Sequence, residues 1–366
     1  MKKIFKLTLS LFLILSSLAL ACTGITIKTL DNKIVQGRTI EYGESNLNSK
    51  LVVSPRGKEY QSLTPDGKLA GYKWKGKYGY VGASLITDMF IGEGINEAGL
   101  NAGLFYFPHY GSLTKYDKKI SKKSIVDMQV VSWILSNFAT VDEVKEGLKK
   151  IKVVNIGYDE KGNPLPTAHW RVADSKGGNI VIEIVNNGEV KIHDNKIGVL
   201  TNSPDYQWHV KNLNNYINLY AGNAKNFNEN GQEFFSFGAG TGAMGLPGDI
   251  TPPSRFVRAF YFLNTMKPAE TSKEAINEAF HILNNFDLPI GVEYPAEHKS
   301  YIPKDLPSAT QWTAISSLND REFYYKTMYN SQIRKVDLKK IDFSTVKYTV
   351  LPLDEKPEEN IQEITF

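Results

Sequence analysis

One cysteine is all that these 366 residues contain. A disulfide framework is therefore excluded, as is any cysteine-based zinc or iron–sulfur site. The six histidines form no His-Glu-x-x-His pair, and no serine sits in a Gly-x-Ser-x-Gly elbow. The zinc-protease and serine-hydrolase chemistries thus lack their parts. Charge of one sign is also missing: 43 basic side chains stand against 39 acidic ones, a net of +4. Three of the basic groups (Lys2, Lys3, Lys6) lie in the first six residues, and the remainder is balanced to +1. Such a chain carries no electrostatic footprint for nucleic acid or an anionic membrane. What is present is the balance of a folded globular protein, 42% hydrophobic and 22% charged, long enough to bury a sizeable core.

Residues 1–21 read as a secretory signal. The three lysines form a positive start, Leu7 to Leu18 is an apolar run too short to span a bilayer, and Ala19-Leu20-Ala21 supplies a small-x-small cleavage pattern. The expected location is therefore outside the cytoplasm, periplasmic or secreted. Cleavage after Ala21 would make Cys22, the only thiol, the N-terminal residue. A cysteine directly after a signal also marks lipoproteins, and lipidation would consume both the thiol and the amine. That alternative is a surface lipoprotein using the fold for binding only. Lipoprotein signals usually place Leu three residues before the cysteine, and here Ala19 occupies that place.

A free Cys22 holds a nucleophile and a base in one residue. An α-amine titrates near ~7.7–8.0, so part of it is unprotonated at neutral pH and can take the thiol proton. A thiol near ~8.5 needs only modest help to attack as thiolate. This chemistry requires no histidine, metal or cofactor.

Along the chain, Thr23 to Val53 is strand-like, with a turn at Asp31-Asn32, and Tyr72 to Ser84 continues the β pattern. Ser124 with Asp127 opens a helix carrying Ile125, Met128, Val131, Ile134, Leu135 and Phe138. Thr140 and Glu143 cap a second, shorter one. His169 to Asp174, Asn179 to Val185 and Lys196 to Leu200 are strands, with Asn187-Gly188 a hairpin turn. Arg255 to Met266 and Thr271 to Asn285 are amphipathic helices. Three further strands run from Gln311 to Leu338. Segregated runs of strands and helices favour α+β layers over a doubly wound sheet. A single domain spans 22–350, and 351–366 is a loose tail. Gly240-Thr-Gly242-Ala-Met-Gly245 matches a dinucleotide fingerprint, but Pro247, Gly248, Pro252 and Pro253 follow it and forbid the helix such a fingerprint opens.

Cys22-Thr-Gly with Gly37-Arg38 and Glu41 resembles the choloylglycine hydrolase family, which includes bile salt hydrolases, penicillin V acylases and relatives acting on N-acyl homoserine lactones. The resemblance continues through Asn96-Glu-Ala-Gly-Leu100, Gly198-Val-Leu-Thr-Asn202-Ser-Pro204, Trp208-His209, Gly245-Leu-Pro-Gly-Asp249 and Ser254-Arg255-Phe256. It implies a four-layer αββα sandwich and hydrolysis of linear amide C–N bonds in small N-acyl compounds. It also implies a homo-oligomer, in the family a tetramer. Carried over position by position, Cys22 is the nucleophile, with Arg38 beside its sulfur. Glu41, where the family usually has Asp, faces the new amine. Asn202 donates its side-chain amide to the oxyanion, and Arg255 supports the site by ion pairing. Tyr106 stands where bile salt hydrolases tend to carry Asn and penicillin V acylases Tyr. Its N–H would be the second oxyanion donor.

Overall fold

The computed structural model describes residues 20–43, 46–159, 161–165, 167–292 and 309–366, so most of the expected leader, 1–19, lies outside the described residues. Fourteen strands build two large sheets. In chain order the first seven are β1 (Leu20–Lys28), β2 (Ile34–Tyr42), β3 (Lys50–Ser54), β4 (Tyr80–Leu85), β5 (Thr87–Asn96), β6 (Leu100–Tyr106) and β7 (Ala168–Asp174). Then come β8 (Asn179–Val185), β9 (Glu189–Asp194), β10 (Val199–Leu200), β11 (Ala309–Ser317), β12 (Glu322–Thr327), β13 (Arg334–Asp337) and β14 (Thr349–Pro352). The first sheet has the order β10-β1-β2-β11-β12-β13, the second β9-β8-β7-β6-β5-β4-β3-β14, and neighbouring strands in both are antiparallel.

Helices α1 (Val130–Asn137) and α2 (Val141–Leu148) lie on the second sheet, against β5, β6 and β7. After α3 (Tyr206–Asn212), helices α4 (Pro252–Thr265) and α5 (Ser272–Asn284) lie on the first sheet, against β1, β2 and β11. The bare faces of the two sheets meet each other, β1 against β6. The protein is an αββα sandwich.

Strand alternation decides which residues enter the space between the sheets. Cys22 lies opposite Ile40 and Gly24 opposite Arg38, so all four belong to one face. A Cβ added to Gly24 would stand 2.6 Å from the Arg171 guanidinium and the Phe105 ring of the second sheet, which places that face inward. Gly37, one residue on, would instead meet Leu283 of α5 at 2.9 Å.

Most elements lie where the sequence puts them, and the capping pairs form: Thr140 accepts from Glu143 N and Thr271 from Glu274 N. The helix expected from Ser124 begins only at Val130. Ser124–Val126 is a short strand parallel to Lys152–Val154, held by the Val126 N–H donating to Ser62 Oγ. The strand expected over Lys196–Leu200 shortens to Val199–Leu200, because Gly198 adopts φ +74°. The helix expected from Arg255 begins earlier, at Pro252, because Pro252 and Pro253 fit the first turn of α4, where their missing N–H groups cost nothing. The end of the chain is tied down further than a loose tail would be. Leu351 and Pro352 pair with β3, Leu353 is buried, and Asp354 forms an ion pair with Arg334.

Candidate active site

Cys22 is buried between the sheets at 1% exposure. Its sulfur receives a hydrogen bond from Arg38 Nη2 at 2.7 Å. Arg38 reaches it diagonally across the β1–β2 ladder, past its own register partner Gly24. The rest of the guanidinium is fully engaged. Nη1 donates to the carbonyls of Leu104 (2.6 Å) and Gly92 (3.0 Å), and Nε to that of Thr39 (3.1 Å). The rings of Phe105 and Trp312 flank it at 4.4 and 5.4 Å. A planar fork with five donors suits this crowded set of acceptors.

Asn202 follows β10, the short strand that pairs with β1, and this brings it to Cys22 from 180 residues away. Its Oδ1 accepts from the Cys22 backbone nitrogen at 2.8 Å and from Arg255 Nη2 at 2.8 Å. Its Nδ2 donates to the Tyr106 carbonyl at 2.9 Å. Tyr106 ends β6, and its backbone N–H bonds the Cys22 thiol. Arg255 enters from the first turn of α4. It donates to the carbonyl of Cys22, to Thr23 Oγ1 (2.9 Å) and to the Ile250 carbonyl (2.8 Å). The expectation of an ion pair is thus corrected. Among the described residues these partners are uncharged oxygens, because the helix aims Arg255 at the backbone of β1 rather than at a carboxylate. Glu41, opposite Ala21 in the ladder, is 1% exposed and accepts from Thr310 Oγ1 at 3.1 Å.

These groups set the acidity of the thiol. Burial pushes the Cys22 thiol up; Arg38 opposes that most strongly, Glu41 adds to it, and Arg255 and the Tyr106 N–H pull it down. The arrangement offers a buried sulfur, a cation in contact with it and amide donors beside it. That is the equipment of a covalent acyl-transfer site.

The sequence reading missed two groups around this set. Glu93 and Arg171 lie in the layer between the sheets, their nearest N···O distance 3.3 Å, with Arg38 Nη1 3.9 Å from the other Glu93 oxygen. Behind Asn202 stand two buried histidines. His169 Nε2 contacts the Thr201 carbonyl and His209 Nε2 the Asn202 carbonyl, each at 2.9 Å. Burial pushes His209 down to about 4, so its ring is neutral. Glu183 lies between His169 and His193. Burial pushes its carboxyl up, but hydrogen bonds from both rings outweigh this and hold it at about 2. His209 lies in the Trp208-His209 segment of the resemblance, which gave it no role; Glu93, Arg171 and His169 lie on strands otherwise mostly apolar.

Gly240–Gly245 forms a single 3₁₀ turn over Thr241–Ala243 and opens no helix. Among the described residues no group of three or more His, Cys, Asp or Glu side chains could hold a metal ion.

Residues 22–351 match the family of linear amide C–N hydrolases, choloylglycine hydrolase family. The chain is 36% identical to a bile salt hydrolase/transferase of Clostridium perfringens, over 87% of this chain and 93% of that one. It is 25% identical to a penicillin V acylase of Pectobacterium atrosepticum, over 94% of this chain and 88% of that one. A crystal structure of a conjugated bile acid hydrolase from Clostridium perfringens superposes with a TM-score of 0.78 at 30% identity, covering 94% of this chain and all of that one.

Proposed function

The chain belongs to the choloylglycine hydrolase family and is a linear amide C–N hydrolase, and within that family we propose that it is an exported enzyme whose nucleophile is an N-terminal Cys22. The observation that carries this is the Arg38–Cys22 contact at 2.7 Å, with the Cys22 nitrogen 2.8 Å from Asn202 and the Tyr106 N–H on the thiol. The family match begins at residue 22, where the leader is expected to end. That start supports cleavage before Cys22.

In this reading the freed amine takes the thiol proton, and the thiolate attacks the amide carbon of the substrate. One Asn202 N–H is engaged by Tyr106; a primary amide has a second. That second N–H and the Tyr106 N–H hold the tetrahedral oxyanion. The α-ammonium then protonates the leaving nitrogen, the C–N bond breaks, and a thioester to Cys22 remains. Water, with the amine again as base, releases the acid and regenerates the thiol. Arg255 and the two histidines hold Asn202 and the β1 backbone in register.

The substrates are N-acyl compounds with a bulky acyl part. Tyr106 favours an aromatic acyl group such as that of penicillin V, and the conjugated bile salts named for the relatives are the comparison class. Purified Cys22→Ser keeps an N-terminal amine but loses the acidic sulfur. Its hydrolysis of penicillin V, glycine- or taurine-conjugated bile salts and acyl homoserine lactones should fall by orders of magnitude with the fold intact. Near-unchanged turnover would sink the mechanism. Mass of the mature N-terminus should show a free Cys22 rather than a lipid adduct.

A further inference from the structure

Glu93, Gly103 and Arg171 lie in one row across the adjacent strands β5, β6 and β7: Gly103 is the register partner of both Glu93 and Arg171. The middle position carries no side chain. A Cβ on Gly103 would stand 1.9 Å from Glu93 Oε2, so the carboxylate lies over the bare glycine on its way to the guanidinium. On the facing sheet, Gly24 likewise yields its side-chain space to Arg171 Nη1. Two glycines on opposite sheets therefore make room for one ion pair.

That pair competes with the site for Arg38. Glu93 Oε1 is engaged by Asn101 Nδ2 at 2.7 Å and Arg171 Nη2 at 3.3 Å. Its Oε2 stops 3.9 Å from Arg38 Nη1, without a hydrogen-bond partner among the described residues. Arg171 is itself pinned, Nη1 donating to the carbonyls of Ile25 and Gly37 at 3.0 Å each. A carboxylate free to close on Arg38 would neutralise the cation that faces the sulfur. We propose that Arg171 is a positioning residue that draws Glu93 away from Arg38 and so keeps the Arg38 charge for the Cys22 sulfur. The proposal rests on Cys22 being the nucleophile.

The charged groups around the sulfur are Arg38 and Glu41 on β2 and Arg255 on α4, with Glu93 on β5 and Arg171 on β7 behind Arg38. Neutralising one member of the pair at a time should therefore move the thiol in opposite directions. In Arg171→Gln, Glu93 turns to Arg38 and the thiol becomes less acidic. In Glu93→Gln, Arg38 has no rival anion and the thiol becomes more acidic. In the double variant the two changes cancel.

The test titrates the lone thiol of the processed protein by thiolate absorbance at 240 nm and by its rate of alkylation with iodoacetamide. The midpoint is expected to rise by about one pH unit in Arg171→Gln, fall by a similar amount in Glu93→Gln, and return to the wild-type value in the double variant. The kcat/KM of Arg171→Gln should drop about tenfold at pH values below the wild-type midpoint and recover only as pH passes the raised one, with KM unchanged. A merely structural Arg171 would lower activity at every pH and leave the midpoint in place, which overturns the proposal. Should Arg171→Gln not fold, the isosteric Glu93→Gln decides alone: an unmoved or raised midpoint refutes it. The titration needs no substrate, so it stands apart from the test of Cys22 as nucleophile.

Discussion

Arg38 sits opposite Gly24 in the ladder and bonds the sulfur of Cys22, two residues away on the neighbouring strand. The glycine gives up its side-chain space to the second sheet. Any side chain there would meet the Phe105 ring and the Arg171 guanidinium at 2.6 Å. Because the cation contacts sulfur directly in a buried site, its effect on the thiolate is little screened.

Arg38→Lys tests whether charge alone suffices. Arg38 serves four acceptors, the sulfur and the Leu104, Gly92 and Thr39 carbonyls, whereas an ammonium has three donors on a compact head. The variant should lose about two orders of magnitude in kcat/KM despite its conserved charge. Retained activity would mean that geometry at this contact is unimportant.

A chain made without its first 21 residues but keeping an initiator Met before Cys22 should be inactive. The Cys22 nitrogen then remains an amide N–H donating to Asn202, as it is in the unprocessed chain, and has no lone pair to offer as base. The thiol should still alkylate. Full turnover with a mass-confirmed blocked N-terminus would point to another base, and the buried histidines near Asn202 would be examined first.

Tyr106→Asn should separate substrates. Its half-buried ring offers an aromatic acyl group apolar area and stacking together worth ~1–2 kcal/mol. Penicillin V hydrolysis should fall about tenfold in kcat/KM, while conjugated bile salts are unchanged or improved. The N–H at the thiol survives the substitution, so the ratio of the two substrates reads the side chain alone. A constant ratio would assign Tyr106 to packing.

Stability should depend on pH through Asp127. This fully buried carboxyl accepts from the N–H groups of Met128 (3.0 Å) and Ile156 (3.1 Å), and burial pushes it up to about 7. The folded state therefore holds a proton that the unfolded chain releases near pH ~3.9. Stability from this group is complete below pH ~4 and declines as pH rises towards about 7. Asp127→Asn removes that slope. Urea unfolding at pH 5 and pH 8 should show the variant gaining roughly 2 kcal/mol on wild type between the two. A difference independent of pH would show that Asp127 does not change its protonation on folding.

Cys22, Arg38, Asn202 and Arg255 were legible because each sits in a short motif whose neighbours share its strand or helix end. Glu93 and Arg171 were not, since 78 residues separate them and only the β5–β6–β7 register brings them together. Gly103 carries no local signal either, because its role depends on its neighbours across the ladder. The partner of Arg255 was misjudged for a related reason. Sequence shows a charge at a helix start, but the carbonyl of Cys22 as its acceptor depends on where α4 crosses β1. The late start of α1 likewise depends on Ser62, from a distant hairpin.

Strand β1 does not begin at Cys22. Leu20 and Ala21 continue the ladder opposite Tyr42 and Glu41, and Ala21 is 4% exposed. A peptidase can grip a bond only in an extended chain lying free in its own cleft, and this one is already zipped to a neighbour. On the proposed function, cleavage after Ala21 must therefore run ahead of folding. A molecule that folded first would be trapped with its amine capped, a dormant form that needs no separate inhibitor. Timing, rather than a propeptide built for the purpose, then decides how much of the protein ever becomes active.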